Sequence, residues 1–426
     1  MKSILILTVG GSPQPLVTSI RSNQPDFVWF VCSDDVAKNK GSYVEAVGEG
    51  LVCKSSFKVE HPDSPCIATQ AGLIPERFDH MRIAGFDNLN DCYLRCLELI
   101  EKLHREYPDA KLIIDYTGGT KSMTAGLATA ALDDGRCDIV LVTGARQDLR
   151  AVTDQTQFVR PVQVWDAQVK RTLRHVENLL GRFDYTGAAR LLEETSRRFA
   201  SDNTVQTIQS WLLACRAFEA WDRFDHPTAR TLLQPENAQW KSYLTFLAML
   251  IDQRGHGWEL VEDLLMNAQR RVVQQRYDDA VGRLYRALEL TAQIWLEKKH
   301  GIVTGNVDLD RIPESIRGAI ASRGHSDGAI KIGLVDAWSV AAAFTGDPLG
   351  DAFSKSKSKL LSFLKTRNES LFAHGSRPVS ETDYTTHGRF VEVFLSETIA
   401  TAVDQLKLPR RATLQQFPVR IDVPND

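Results

Sequence analysis

Long apolar runs are missing from this 426-residue chain. The N-terminal Met-Lys-Ser-Ile-Leu-Ile-Leu-Thr-Val-Gly-Gly carries an apolar run too short for a signal peptide or a membrane span, and it ends in glycines. No later run approaches membrane length, so a cytoplasmic protein with no membrane partner is expected. Cysteine is sparse as well, with seven residues, an odd number, all between Cys32 and Cys215. Cys92 and Cys96 share a helix face, yet no second pair or neighbouring His cluster completes a zinc-type set. Reduced thiols packed in cores are expected, and no metal site. A large charge excess is also lacking. The formal net charge of −3 argues against constitutive coating of nucleic acid but leaves room for local basic patches. Common nucleotide-binding fingerprints are missing too. No Gly-Lys-Ser/Thr stands at the distance a Walker A loop requires, and Gly10-Gly11-Ser12 is not a GxGxxG turn.

What is present divides the chain, which by length exceeds one ordinary domain and has room for two or three cores. In the first third, Ser3 to Thr8 is an apolar run followed by Gly10-Gly11-Ser12-Pro13-Gln14 and a helical pattern from Leu16 to Arg21. Phe27 to Cys32, Lys111 to Asp115 and Cys137 to Thr143 are further strand candidates, with helices over about Asn90 to Tyr107 and Ser122 to Leu132. Short apolar strands alternating with helices predict a mostly parallel, doubly wound sheet, which binds ligands outside the carboxyl ends of its strands. Two of those ends run into glycine-rich turns that open helices and present backbone N–H groups to anions. The turn Thr117-Gly118-Gly119-Thr120-Lys121 adds two hydroxyls and an ammonium, and is read as a phosphate-binding turn in preference to a purely structural one.

Thr8-Val-Gly-Gly-Ser-Pro-Gln-Pro and Asp115-Tyr-Thr-Gly-Gly-Thr-Lys-Ser-Met resemble the two ligand loops of the CRISPR-associated Rossmann-fold (CARF) sensor domains, the second more specifically than the first. Members of that family dimerise and bind a cyclic oligoadenylate ring across the two-fold axis. The resemblance implies that Gly10, Gly11, Ser12 and Gln14 line such a pocket together with Thr117, Gly118, Gly119, Thr120 and Lys121.

From about Val169 strand signals give way to helical periodicity. Phe183-Asp184 with Ala188, Phe224-Asp225 with Ala229 and Tyr277-Asp278 with Ala280 form an irregular echo of a helical-hairpin repeat. Each is read as an Asp-capped turn opening a helix whose alanine allows close packing. Trp211, Phe218 and Trp221 are read as core rather than as a base-stacking platform, and Asp222 and Asp225 as solvated or capping groups rather than metal ligands. Leu260 to Gln275, Ala280 to Lys298, Lys355 to His374 and about Thr382 to Leu406 then give an antiparallel bundle pattern. In the tail, Phe417, Val419 and Ile421 alternate as in a short strand or a docked extension.

The stretch from Leu364 to Gly375 reads as the end of a helix, with Gly375 and Pro378 as its stop signals. Arg367 and His374 are seven positions apart, almost two helical turns, which puts both on one face. A fixed cation beside a group that titrates near neutrality suits phosphodiester chemistry, although such a pair alone is also what any polar helix face supplies. In this setting Arg367-Asn368 with His374 resembles the Arg-x(4–6)-His signature of the HEPN ribonuclease bundle, and Tyr285-Arg286-Ala-Leu-Glu289 resembles the helix that packs beside it. Arg286 and Glu289 themselves are read as an ordinary i,i+3 pair. Lys355, Lys357 and Lys359 can draw an RNA backbone, and a solvated helix start explains them equally.

The HEPN resemblance implies metal-independent cleavage of single-stranded RNA by its own 2′-hydroxyl, leaving a 2′,3′-cyclic phosphate and a 5′-hydroxyl. In that chemistry His374 moves protons, Arg367 stabilises charge on the five-coordinate phosphorus and Asn368 orients the His or the substrate. A homodimer brings two Arg–His sets into one cleft. Sensor followed by effector is the order of the CARF–HEPN ancillary ribonucleases of type III CRISPR systems. The expected organisation is an α/β Rossmann-like N-terminal sensor domain (1–160), an all-α linker region (161–257) and a C-terminal HEPN helical bundle (258–426). Cyclic oligoadenylate is the expected allosteric activator, with no cofactor. Two other readings stand beside this one: a cyclic-nucleotide-binding regulator without RNase activity, and a sensor that also cleaves its ring ligand. No helix-turn-helix or basic recognition helix supports the regulator.

Overall fold

The computed structural model describes residues 3–54, 62–144, 146–147, 151–152, 156–162, 165–198, 202–236, 238–323, 330–409 and 414–421. The chain divides into two compact units, 1–170 and 171–426. In the first, the apolar runs form strands β1 (Ser3–Thr8), β2 (Phe27–Ser33), β4 (Lys111–Asp115) and β5 (Asp138–Thr143). β3 (Phe78–Ile83), β6 (Arg146–Gln147), β7 (Ala151–Val152) and β8 (Phe158–Pro161) add to them. The main sheet has the order β3-β2-β1-β4-β5-β8, while β6 and β7 form a separate ribbon. Its first five strands are parallel and β8 runs antiparallel to β5.

β1 and β4 are buried almost throughout because helices cover both faces, as parallel sheets require. On one face α1 (Pro13–Asn23), α2 (Tyr43–Val47) and α3 (Ile67–Gln70) close a core around Leu16, Ile20, Phe30 and Ile67. On the other, α4 (Leu89–Glu106) and α5 (Lys121–Asp134) close a second core around Ile100, Leu103, Ile114 and Leu127. The sequence pattern passes over β3, and the reason is its position. It lies at the sheet edge, where Phe-Asp-His-Met-Arg-Ile buries Ile83 alone, so no apolar run marks it.

The second unit is helical. It follows from α6 (Trp165–Leu180) through α7 (Tyr185–Arg198), α8 (Asp202–Asp222), α9 (His226–Leu233), α10 (Lys241–Ile251), α11 (Glu259–Val273) and α12 (Tyr277–Trp295). Then come α13 (Glu314–Ala321), α14 (Leu334–Ala343), α15 (Pro348–Glu369), α16 (Glu381–Asp383) and α17 (Arg389–Gln405). A π turn over Tyr384–Gly388 joins α16 to α17, so the helix expected from Thr382 to Leu406 is one continuous rod with a wide turn near its start. Among the described residues, no helix is long and apolar enough to cross a membrane.

The weak internal repeat is a repeat of turn geometry. Phe183, Phe224 and Gln275 all have left-handed backbones, with φ of 56°, 63° and 58°. At each, the next N–H reaches back five residues: Asp184 to Leu179, Asp225 to Ala220 and Arg276 to Arg271, the Schellman closure of a helix. Ala188, Ala229 and Ala280 follow at the same place in the next helix, and all three are fully buried. The expected caps hold for Asp184 and Asp225, whose carboxylates accept from Gly187 and Thr228 N–H groups. Asp278 is different. The frame puts Arg276 at the cap, and Asp278 accepts from the Val379 N–H instead.

Trp211, Phe218 and Trp221 are core, as their spacing predicts. Asp222 is neither solvated nor a cap: it is ion-paired with Arg270 at 2.8 Å and with Arg271. The tail is a docked extension rather than a strand. Phe417 and Ile421 are buried while Val419 is not, the Arg270 guanidinium stacks 3.6 Å from the Phe417 ring, and the Tyr185 and Tyr243 hydroxyls donate to the Pro418 and Gln416 carbonyls.

Candidate functional site

In the first unit the chain leaves β1 toward β2 on one side and β4 toward β5 on the other, so a crevice opens between the carboxyl ends of β1 and β4. Both singled-out loops lie there and touch. The Thr8 hydroxyl donates to the Gly118 carbonyl. A Cβ on Gly10 would stand 2.6 Å from the Gly119 nitrogen, and one on Gly118 would stand 2.5 Å from the Thr8 carbonyl oxygen. Glycine is needed because two backbones meet at contact distance, and Gly119 also has a φ of 91°.

The side chains divide into those that hold the turn and those left facing outward. The Thr117 N–H (2.8 Å) and hydroxyl both donate to Asp115, and that hydroxyl accepts from the Val142 N–H at 2.9 Å. The Thr120 hydroxyl caps α5 by accepting from Met123 N–H and donates to the Phe86 carbonyl at 2.6 Å. The two hydroxyls counted for anion binding are therefore engaged in building the loop. Lys121 and Gly11 are exposed, Gln14 is half-buried, and Ser12 stands at the start of α1 with no capping hydrogen bond from its side chain. Backbone N–H groups, Lys121, Ser12 and Gln14 are what the crevice offers a phosphate. Burial pushes the Asp115 carboxyl above the usual carboxylate range, against hydrogen bonds from Ser19 and Thr117 that hold it down.

In the second unit the site is the far end of α15. The near end is anchored by Asp347, whose carboxylate accepts from the Gly350 N–H (2.7 Å) and the Trp295 indole (2.9 Å) and pairs with His300 Nε2 at 2.7 Å. Phe363 and Leu364 hold the last turns in the core. The helix then stops at Glu369, five residues before the expected His374. Ser370 swings to ψ 158°, and its N–H and hydroxyl both donate to the Arg367 carbonyl. The chain folds back so tightly that a Cβ on Gly375 would stand 1.8 Å from the Glu369 carbonyl oxygen. His374 N–H donates to the Asn368 carbonyl at 3.3 Å.

The helical-face argument for Arg367 and His374 is thus corrected. A folded-back turn, not two turns of helix, returns His374 to the signature. The same turn leaves Leu371 and Phe372 at 69% and 66% exposure, although their spacing with Leu364 imitated a core stripe. Beyond it, Arg377 N–H donates to the Glu369 carbonyl, its side chain pairs with Asp383 at 2.9 Å, and Asp278 takes the Val379 N–H. Arg367 lies over the Tyr285 ring and donates to Asn368 Oδ1 at 3.1 Å, so Asn368 steadies the cation. Asn368 and His374 are exposed, as are Lys355, Lys357 and Lys359. Arg286 pairs with Glu289, the structural role expected of it. Asp278 is a supporting residue that sequence reasoning misplaced; its partner is 101 positions away.

Residues 253–397, a range that holds Tyr285, Arg367, Asn368 and His374, match the family described as the Csm6 HEPN domain. Comparison with curated proteins gave no match. Among solved structures, Csm6 from Enterococcus italicus, bound to cyclic hexa-2′-fluoro-hexa-dAMP, aligns over 95% of this chain and 95% of its own, at 10% identity and a TM-score of 0.60. Can2 from Sulfobacillus thermosulfidooxidans, in complex with cyclic tetra-adenylate, aligns over 56% of this chain and 68% of its own at 13% identity, with a TM-score of 0.22. A type III CRISPR defence DNA nuclease activated by cyclic oligoadenylate aligns over 50% and 34%, also at 13% identity, with a TM-score of 0.24. The chain carries a HEPN domain of the Csm6 type in its C-terminal half and has, over nearly its whole length, the fold of Csm6.

Proposed function

We propose that this protein is a type III CRISPR ancillary ribonuclease, a homodimer that cuts single-stranded RNA at Arg367, Asn368 and His374 when a cyclic oligoadenylate occupies the β1–β4 crevice. The observation that carries the reading is the folded-back turn after α15. It holds His374 against the last turn of α15, which carries Arg367 and Asn368, inside the stretch that matches the Csm6 HEPN domain.

The chemistry follows from the substrate and these side chains. RNA supplies its own nucleophile. Its 2′-oxygen attacks the adjacent phosphorus and gives its proton to an imidazole, and the bond from phosphorus to the 5′-oxygen breaks as that oxygen takes up a proton. The products are a 2′,3′-cyclic phosphate and a 5′-hydroxyl, and no metal-activated water is needed. Arg367, held by Tyr285 and Asn368, places a fixed guanidinium against the charge that builds on the phosphoryl oxygens. One imidazole serves poorly as base and acid in the same turnover, and a second copy of His374 in a shared cleft divides the work. The exposed Leu371 and Phe372, between the catalytic residues, give that second copy an apolar surface to cover.

The test compares the wild-type protein with an Arg367→Ala/His374→Ala variant on labelled RNA, with and without cyclic tetra- or hexa-adenylate, in buffers containing EDTA or magnesium. Ring-dependent cleavage that persists in EDTA and falls by at least about 100-fold in the variant is expected. Unchanged cleavage in the variant overturns the site, and a rate indifferent to the ring overturns the sensor.

A further inference from the structure

Three groups with metal-ligand chemistry converge at the amino end of β5, the end of the sheet opposite the crevice. His104 lies in the last turn of α4, Asp134 ends α5, and Cys137 directly precedes β5. Both helices return from the carboxyl ends of parallel strands, so they finish together where β5 begins. Nε2 of His104 is 3.2 Å from Oδ2 of Asp134. Sγ of Cys137 is 3.4 Å from the same oxygen and 4.0 Å from the imidazole nitrogen. A triangle with these sides has a point about 2.1 Å from every corner, the distance zinc keeps from nitrogen and oxygen and slightly short of the about 2.3 Å it keeps from sulfur.

The surroundings suit an ion. The His104 and Asp134 side chains are 11% and 2% exposed, and Cys137 is buried. Arg136 donates to both carboxylate oxygens, its backbone N–H to Oδ2 at 2.9 Å and its Nε–H to Oδ1 at 3.1 Å. That grip fixes the carboxylate plane with Oδ2 toward the imidazole and the thiol. Without an ion the same atoms make an imidazole–carboxylate pair with a thiol donor, so geometry alone admits both states. Donor chemistry separates the metals: a thiolate with an imidazole and a carboxylate favours zinc over magnesium or calcium. One thiolate and one carboxylate also balance the two charges of a dication, so the ion and its ligands together are neutral.

We infer that His104 Nε2, Asp134 Oδ2 and Cys137 Sγ form a binding site for a zinc-type cation, with water as the fourth ligand, which fastens α4 and α5 to the start of β5. Binding releases the Cys137 thiol proton to solvent. The site lies at the other end of α5 from the glycine turn, and the inference is independent of the ribonuclease reading.

The test titrates the full chain, stripped of metal and kept reduced, with Zn(II) and Co(II). One equivalent per chain should bind. Co(II) should give the near-ultraviolet thiolate band and the visible bands of a tetrahedral complex, and Zn(II) should raise the melting temperature. Cys137→Ser and His104→Gln, each shown folded by circular dichroism, should lose the Co(II) bands and bind at least about 100-fold more weakly, since disturbing an orienting partner alone costs about 10–100-fold. Wild-type protein that takes up no stoichiometric Zn(II), or variants that keep the bands, would overturn the assignment.

Discussion

The guanidinium carbon of Arg367 stands 4.2 Å from the centroid of the Tyr285 ring, so the cation at the end of α15 rests on an aromatic face supplied by α12. Asn368 accepts from the same guanidinium, and the two contacts fix its direction. A cation–π contact at a partly exposed site contributes about 0.5–1 kcal/mol. Tyr285→Leu should therefore slow ring-activated RNA cleavage by about 2- to 5-fold, since about 1.4 kcal/mol is a factor of ten in rate. Tyr285→Phe keeps the ring and should stay near wild type. Equal rates for all three proteins, at matched folded fraction, would mean that Arg367 is aimed by something else.

Gly375 sets the fold-back that carries His374. A methyl group there meets the Glu369 carbonyl, backbone that cannot swing away. Gly375→Ala should cost about 1–3 kcal/mol, read as a lower urea midpoint, and lower cleavage by at least about tenfold. Gly305→Ala is the control, because nothing lies within 4 Å of its added Cβ. If Gly375→Ala cleaves RNA at the wild-type rate, the tight turn is not what places His374.

Lys121 is the exposed cation at the start of α5, beside the glycine turn. Loss of one hydrogen bond to a charged group costs about 1.5–3 kcal/mol. Lys121→Ala should raise the ring concentration for half-activation by about tenfold or more, with the melting temperature and the rate at saturating ring retained. An unshifted activation curve would put Lys121 outside the pocket.

Asp115 lies buried beneath that turn with its carboxyl pushed up by desolvation. A carboxyl whose folded pKa exceeds its unfolded value takes up a proton on folding between the two. Its contribution to stability is therefore greatest below about pH 4 and is lost as pH rises through the folded value. Asparagine cannot ionise. Measured without ligand, the melting temperature of Asp115→Asn relative to wild type should climb between pH 4 and pH 8. Parallel curves would show that Asp115 ionises in the fold as it does in the unfolded chain.

Burial decides which elements can be read ahead of a structure. β1 and β4 are covered on both faces, so Ile4 to Leu7 and Leu112 to Ile114 appear as unbroken apolar runs. The edge strand β3 carries no such mark. Leu371 and Phe372 mislead in the opposite direction, since apolar residues at helical spacing imitate a core face and here stand in solvent. Spacing alone does not distinguish a buried stripe from one left open for a partner.

The sequence by itself determined the buried strands β1, β2, β4 and β5 and the helices α1, α4 and α5 of the first unit, the two glycine turns, and the Arg367-Asn368 and His374 signature. Each depends on neighbours along the chain, on steric freedom at glycine or on the period of a helix. Tertiary structure alone decided that Gly10 lies against Gly119, that α15 stops at Glu369, and that His374 returns through Gly375 to the carbonyl of Asn368. It also decided that His104, Asp134 and Cys137 meet. These contacts join backbones and side chains whose separation is set by how strands and helices end in space, and no local spacing records that.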